Sequence, residues 1–329
     1  MTDRKFGLLF PGQGSQRVGM GKDLYETQAS ARWVFNRANE VLGRDIAKLC
    51  FEGPHDFLQT TANSQPAIFT VSIALLNVLI EKMKEGPVGE EGNEIFSSED
   101  IKAFGSMAMG LSLGEPTALT VSGALSFEDG LRFVAKRGEF MEEACREKKG
   151  KMASIIGLEL EKVEKLCKGI GGVQVANLNC PEQVVISGYA SRVELASDLA
   201  RNQGAKRVVV LKVGGAFHSE LMASAKEKLK LFLAGVEIKQ PVIDFISNVD
   251  AELTQDSVKI KENLINQMDN KTLWEDSVKK AASRGITDFL EIGPGNVLKG
   301  LVRKIDSSLN VTVLNTMEDI GKFAGGDAG

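Results

Sequence analysis

Apolar positions along the chain change period several times, and each change marks an element. Lys5–Phe10 is a short, nearly continuous apolar run and predicts a buried strand. It stops at Pro11-Gly12-Gln13-Gly14-Ser15-Gln16, a loop whose glycines let backbone amides approach a ligand closely. From Ser64 the pattern turns helical. Pro66 suits a first turn, and Ala67–Met83 is apolar almost all round, as in a helix enclosed by a larger core. Glu85–Asp100 is rich in Gly, Pro, Ser and acids without a period and predicts a solvated loop. Ile101–Met109 predicts a strand, followed by the turn Gly110-Leu111-Ser112-Leu113-Gly114 and a helix from Glu115 to Leu125. Ser126 and Asp129 then open a second helix, Phe127 to about Lys148, with Leu131, Val134, Gly138, Met141 and Cys145 on one stripe.

From Lys148 to Gly214 the order is strand, helix, strand, strand, helix, strand, with MASIIGL, VQVANL, QVVISG and RVVVLKV as the strands. That is the ferredoxin-like βαββαβ order. After it come helices near Ser219–Leu233, Ile260–Met268 and Leu273–Arg284, and strands near Val242–Ser247 and Asp288–Ile292. The residues past Ile320 are expected to fray. The fold class predicted is therefore α/β, a mostly parallel sheet covered on both faces, with a core of residues 1–147 and 215–329 and an inserted subdomain of residues 148–214.

Composition narrows the function classes. The 329 residues carry a formal net charge of −4, which gives no general attraction for nucleic acid or anionic membranes. The longest apolar stretch, Ala67–Ile80, is shorter than a bilayer crossing and is broken by Thr70, Ser72 and Asn77, so no membrane span is predicted. The first ten residues lack a secretory apolar region, and a cytoplasmic protein is expected. Cys50, Cys145, Cys167 and Cys180 have no paired spacing and only two histidines exist, which predicts reduced thiols and no metal site.

Gly110-x-Ser112-x-Gly114 between a strand and a helix has the form of a nucleophile elbow, with Ser112 the candidate nucleophile and the Leu113 N–H placed to meet a developing oxyanion. The base can only be His55, in a polar turn, or His218, in Gly214-Gly215-Ala216-Phe217-His218-Ser219. His218 has the better surroundings. The long stretch after it holds no other histidine, which argues against an ordinary α/β-hydrolase order. Arg137 sits on the edge of an apolar stripe beside Gly138; it needs either a structural carboxylate or a ligand carboxylate, and spacing alone favours the structural pair.

These residues resemble a known family. LFPGQGSQ (Leu9–Gln16), QPAIF (Gln65–Phe69), GLSLGE around Ser112, KRGEFMEEA with Arg137, QVVISG, AFHSELM with His218 and EIGPGNVL run in the order found in malonyl-CoA:acyl carrier protein transacylases and, more distantly, in the acyltransferase domains of polyketide and fatty acid synthases. The resemblance covers nearly the whole chain. It implies a hydrolase-like core with the ferredoxin-like insertion. It also implies Ser112 as the acyl-accepting nucleophile, His218 as its base, and the N–H groups of Gln13 and Leu113 as oxyanion donors. Arg137 would be the grip on the malonate carboxylate, and the Gln267 carbonyl would orient the histidine. Asn177 and Asn179 match groove-lining positions, and Phe217 matches the residue of malonyl-selective members. No metal or redox cofactor is implied. The partners would be malonyl-CoA and an acidic acyl carrier protein, for which Lys206, Arg207, Lys279, Lys280, Arg303 and Lys304 are candidate docking charges; a monomer is expected. A serine esterase or patatin-like lipase using the same elbow, or an acyltransferase of a polyketide pathway, are the alternatives. The chain departs from the family pattern at Leu111, where the family usually has His, and at Pro116, where it has an aromatic residue.

Overall fold

The computed structural model describes residues 5–84, 86 and 95–325. Among the described residues, nine strands fall into two sheets: β1 (Phe6–Phe10), β2 (Gly105–Gly110), β3 (Gly150–Ile156), β4 (Val173–Cys180), β5 (Gln183–Tyr189), β6 (Arg207–Val210), β7 (Asp244–Phe245), β8 (Asp288–Ile292) and β9 (Asn310–Leu314). The larger sheet has the order β7-β2-β1-β8-β9 with every pairing parallel. Its central strand, β1, is buried from Gly7 onward, as a strand covered on both faces must be. The predicted α/β class with a mostly parallel sheet is what the structure shows.

The smaller sheet has the order β4-β5-β3-β6 and is wholly antiparallel. Helices Leu160–Ile170 and Ala190–Asn202 complete the βαββαβ order and supply Val163, Leu166, Val193 and Ala196 to a separate apolar cluster with Ile155 and Ile186. Met152 of β3, Ala176 of β4 and Val185 of β5 join this small unit to the main core, and β4 adds backbone hydrogen bonds. Asn177 bridges Thr272 in parallel register, Leu178 N–H donates to the Thr272 carbonyl (2.9 Å) and Thr272 N–H donates to the Ala176 carbonyl (2.9 Å).

Helix Thr61–Lys84 is longer than its pattern predicts, because Pro66 lies inside it rather than in its first turn. A proline there leaves the carbonyl four residues back without its amide partner. That carbonyl belongs to Ala62, and Arg44 Nη2 donates to it at 2.9 Å. With its added N-terminal turn this helix is long and apolar enough to cross a membrane, contrary to the shorter stretch read from the sequence. Yet 83% of its most apolar window is buried inside the fold.

Other expectations need correction. Residues 98–104 are helix, not strand: Ser97 caps it, with Asp100 closing a capping box, and β2 begins only at Gly105. The predicted loop of 85–100 therefore ends in helix, while residues 85 and 87–94 lie outside the described residues. The strand expected at Val242–Ser247 shortens to β7. The chain past Ile320 does not fray at once, since helix Met317–Ala324 packs the Phe323 ring 5.6 Å from Phe6.

Candidate active site

The C-terminal ends of β1 and β2 deliver the two loops from which the site is built, as the ends of parallel strands do. β2 turns at Ser112, which has φ 52°, into helix Gly114–Val121. The two glycines of the elbow are required by contact. A Cβ on Gly110 would lie 2.2 Å from the Gly114 carbonyl carbon, and one on Gly114 would lie 2.0 Å from the Phe10 carbonyl oxygen. Asn248, just past the neighbouring edge strand β7, clamps the turn: its Oδ1 accepts from Ser112 N–H at 2.7 Å and its Nδ2 donates to the Gly110 carbonyl at 2.8 Å.

His218, also in the left-handed region at φ 56°, follows β6 and precedes the short turn Glu220–Met222. Its Nε2 lies 2.8 Å from Ser112 Oγ, and its Nδ1 lies 2.7 Å from the Gln267 carbonyl. A carbonyl can only accept, so Nδ1 carries the proton and Nε2 is left as the acceptor facing the serine. Burial, followed by the nearby Arg137 charge, holds the imidazole down to about 4, so it is neutral at pH 7 and able to take a proton. Left-handed backbone at non-glycine residues is strained, and here it occurs at both members of the nucleophile–base pair.

Arg137 reaches the same point from helix Phe127–Glu147. Gly138 lets that helix press against helix Thr61–Lys84, where a Cβ would lie 2.6 Å from the Thr61 carbonyl oxygen. The guanidinium is 1% exposed. Its Nη1 donates to Gln65 Oε1 (2.9 Å), and its Nη2 donates to Gln267 Oε1 (2.7 Å) and Ser112 Oγ (3.0 Å). The structural ion pair that spacing favoured is therefore not what holds it. Its hydrogen bonds go to neutral oxygens. Burial lowers Arg137 to about 10, and the Glu115 charge opposes that shift, leaving it cationic at pH 7.

Gln267 joins these groups. Its carbonyl accepts from His218 Nδ1–H, its Oε1 accepts from Arg137 Nη2, and its Nε2 donates to the Ser112 carbonyl (3.1 Å) and to Glu115 Oε2. Sequence reasoning missed Glu115, Asn248 and the contact of Gln65 with Arg137. The sequence pattern marks Glu115 only as the start of a helix, yet it has no exposure. Burial pushes it up to about 7, while Gln267, Ser247, Asn248 and Arg137 pull it back.

Among the described residues, no hydrogen bond is made by the N–H of Gln13 or of Leu113. Gln13 Nε2 donates to Thr61 Oγ1 at 3.3 Å. Phe217 is buried against the main core beside His218. Among the described residues no hydrogen bond links the Asn177 side chain to this cluster: its Nδ2 donates to Thr272 Oγ1 at 2.5 Å, in the seam between the sheets. Asn179 Oδ1 is buried without a hydrogen bond. His55 is exposed beside Asp56. Of the six basic residues considered for docking, Lys206, Lys279 and Lys280 face Glu182, Glu275 and Glu252 at 2.9, 2.5 and 2.7 Å, so their charge is partly spent.

The sequence profile of the acyl transferase domain matches residues 8–85 and 94–321. The chain belongs to this acyl transferase family. It is 45% identical over 320 residues to the malonyl CoA-acyl carrier protein transacylase of Bacillus subtilis (strain 168), covering 96% of this chain and 95% of that protein. Among solved structures of the family, the malonyl-CoA:acyl carrier protein transacylase of Xanthomonas oryzae pv. oryzae superposes with a TM-score of 0.89 at 34% identity over 99% of both chains. A malonyl-transacylase in complex with its type II PKS acyl-carrier protein superposes with 0.88 at 34% identity, over 98% of this chain and 99% of that one. The fold of this acyl transferase, including its small antiparallel sheet, is thus that of its solved relatives.

Proposed function

We propose that the protein transfers a malonyl group from malonyl-CoA to the pantetheine thiol of an acyl carrier protein, through a malonyl ester of Ser112, in fatty acid synthesis. One observation carries the reading: a buried guanidinium, held by two neutral amides, stands 3.0 Å from a hydroxyl that is already paired with a neutral imidazole. A hydrolase acting on neutral esters has no use for a cation there. A substrate with a second carboxylate does, because the guanidinium fork can meet it with two parallel charge-assisted hydrogen bonds.

In the first step Ser112 Oγ attacks the thioester carbonyl while His218 Nε2 takes its proton. The N–H groups of Gln13 and Leu113 receive the oxyanion. Collapse of the tetrahedral intermediate breaks the C–S bond, and His218 returns the proton to the departing CoA thiolate. In the second step the carrier thiol gives its proton to His218 and attacks the malonyl ester, and Ser112 leaves and is reprotonated. The Gln267 carbonyl keeps the imidazole in one tautomer throughout, the part an acid plays in other triads. Phe217, beside the base, narrows the space available to a substituent on the α-carbon of the acyl group. The groups used are a hydroxyl, an imidazole, a guanidinium and backbone amides, so neither metal nor redox cofactor enters the proposal.

The test is mass spectrometry of the protein after exposure to malonyl-CoA, with Ser112→Ala as the control, followed by addition of carrier protein. A malonyl adduct on Ser112 that moves to the carrier thiol is expected. An adduct released as free malonate at the same rate with and without carrier would point to a hydrolase, and no adduct would refute both.

A further inference from the structure

Glu115 has no task in the steps above, although it is fully buried. A surface glutamate would serve the N-terminal dipole of helix Gly114–Val121 as well, without the cost of desolvating a carboxylate. Its surroundings point elsewhere. The carboxylate receives the Ser247 hydroxyl at Oε1 (3.0 Å) and, at Oε2, Asn248 N–H (3.4 Å) and the side-chain Nε2 of Gln267. Three donors converge on it, which fits an ionised carboxylate that can only accept.

A primary amide has one accepting end and one donating end. With the Glu115 carboxylate and the Ser112 carbonyl (3.1 Å) both on one side, and the carboxylate in its ionised form able only to accept, Gln267 presents Nε2 to the pair, and Oε1 is then turned toward Arg137 Nη2 at 2.7 Å. Were the amide reversed, an N–H group would face the guanidinium and Arg137 would lose one of its two amide supports. We infer that Glu115 is a positioning residue that fixes the Gln267 amide and, through it, the Arg137 guanidinium, so that the protein selects acyl groups bearing a free carboxylate. The inference rests on the reading of Arg137 as the malonate grip. The link to the base is separate, since His218 is held by the Gln267 main-chain carbonyl rather than by its side chain. Selection and base orientation thus use different parts of one residue.

The experiment compares first-turnover acylation of Ser112 by malonyl-CoA and by acetyl-CoA in wild type, Glu115→Gln, Gln267→Met and the double variant, with thermal unfolding of each. Gln267→Met removes the amide and keeps the main-chain carbonyl. The malonyl-to-acetyl rate ratio is expected to fall about tenfold in each single variant, with the double variant no lower than Gln267→Met alone. A folded Glu115→Gln with a ratio within twofold of wild type would overturn the inference. So would an equal loss with both substrates, or additive losses in the double variant. Should Glu115→Gln fail to fold, Gln267→Met decides: an unchanged ratio there overturns the inference. A wild-type protein that never acylates Ser112 would refute the underlying reading, whereas normal acylation beside an unchanged ratio refutes the role of Glu115 alone.

Discussion

Arg137→Ala is the sharpest perturbation of the site. The guanidinium donates to Gln65 Oε1, Gln267 Oε1 and Ser112 Oγ, and in the proposed complex two of its N–H groups turn to the malonate carboxylate. Hydrogen bonds to charged groups contribute about 1.5–3 kcal/mol each, so two give about 3–6 kcal/mol. At ~1.36 kcal/mol per decade, kcat/KM for malonyl-CoA should fall by about a hundredfold to ten-thousandfold. Acetyl-CoA has no carboxylate to lose, and its rate should fall far less or rise, because an unpaired cation no longer faces the methyl group. Truncation also leaves two amide oxygens without a donor and removes the positive charge that lowers Glu115, a loss that can approach ~3–5 kcal/mol of stability. Unfolding curves must therefore accompany the kinetics. The assay is rapid-quench acylation of Ser112 by each thioester, read by intact-protein mass. A folded Arg137→Ala variant that keeps the wild-type malonyl-to-acetyl ratio would refute the reasoning, since the carboxylate would then be bound by some other group. Arg137→Lys should fall between the two, keeping a charge but losing the planar fork.

Three further outcomes follow from the geometry. Because the His218 imidazole is held down to about 4, it stays neutral as pH falls through the ordinary histidine range. The acid limb of kcat/KM for acetyl-CoA, which does not use the grip that Glu115 positions, should then show an apparent pKa near 4, and a limb near 6.5 would contradict the buried, carbonyl-bound imidazole. Gly114→Ala would place a methyl group 2.0 Å from the Phe10 carbonyl oxygen, and should cost about 3 kcal/mol in denaturant unfolding together with most of the acylation rate. Asn248→Leu leaves the Ser112 N–H and the Gly110 carbonyl without their partner, and should cost about 1–3 kcal/mol and slow acylation with malonyl- and acetyl-CoA alike, unlike Arg137→Ala.

Much of this architecture was legible in the chain because local pattern and global fold agree. The βαββαβ order of the small sheet could be read from alternating strands and two amphipathic helices. Ser112 could be read from the spacing of two glycines whose backbone contacts leave no room for a side chain. His218 stood out through scarcity, and its meeting with Ser112 spans 106 residues that no local rule connects. What escaped is partly local and partly tertiary. The apolar run from Ile101 looked like strand throughout, although Ser97 and Asp100 carried a helix-start signal that went unread. The pattern puts Pro66 at a helix start because nothing in sequence says that Arg44 takes over the Ala62 carbonyl. Glu115 was hidden for a similar reason. An acid in a first turn already has an explanation in the helix dipole, and only the packing of Ser247, Asn248 and Gln267 around it shows that it belongs to the interior.

The seam at Thr272 limits how the molecule can be re-engineered. Gln174 Nε2 donates to the carbonyls of both His218 (3.3 Å) and Asp269 (3.1 Å), and Asn177 fastens on Thr272 three residues further along β4. The small sheet is thus tied to the loop just after Gln267 and to the backbone of the base itself. A chimera that swaps residues 148–214 for a relative's segment, in order to redirect the enzyme to another carrier, would sever these ties and tilt the imidazole. The graft would have to bring residues 266–273 along with it.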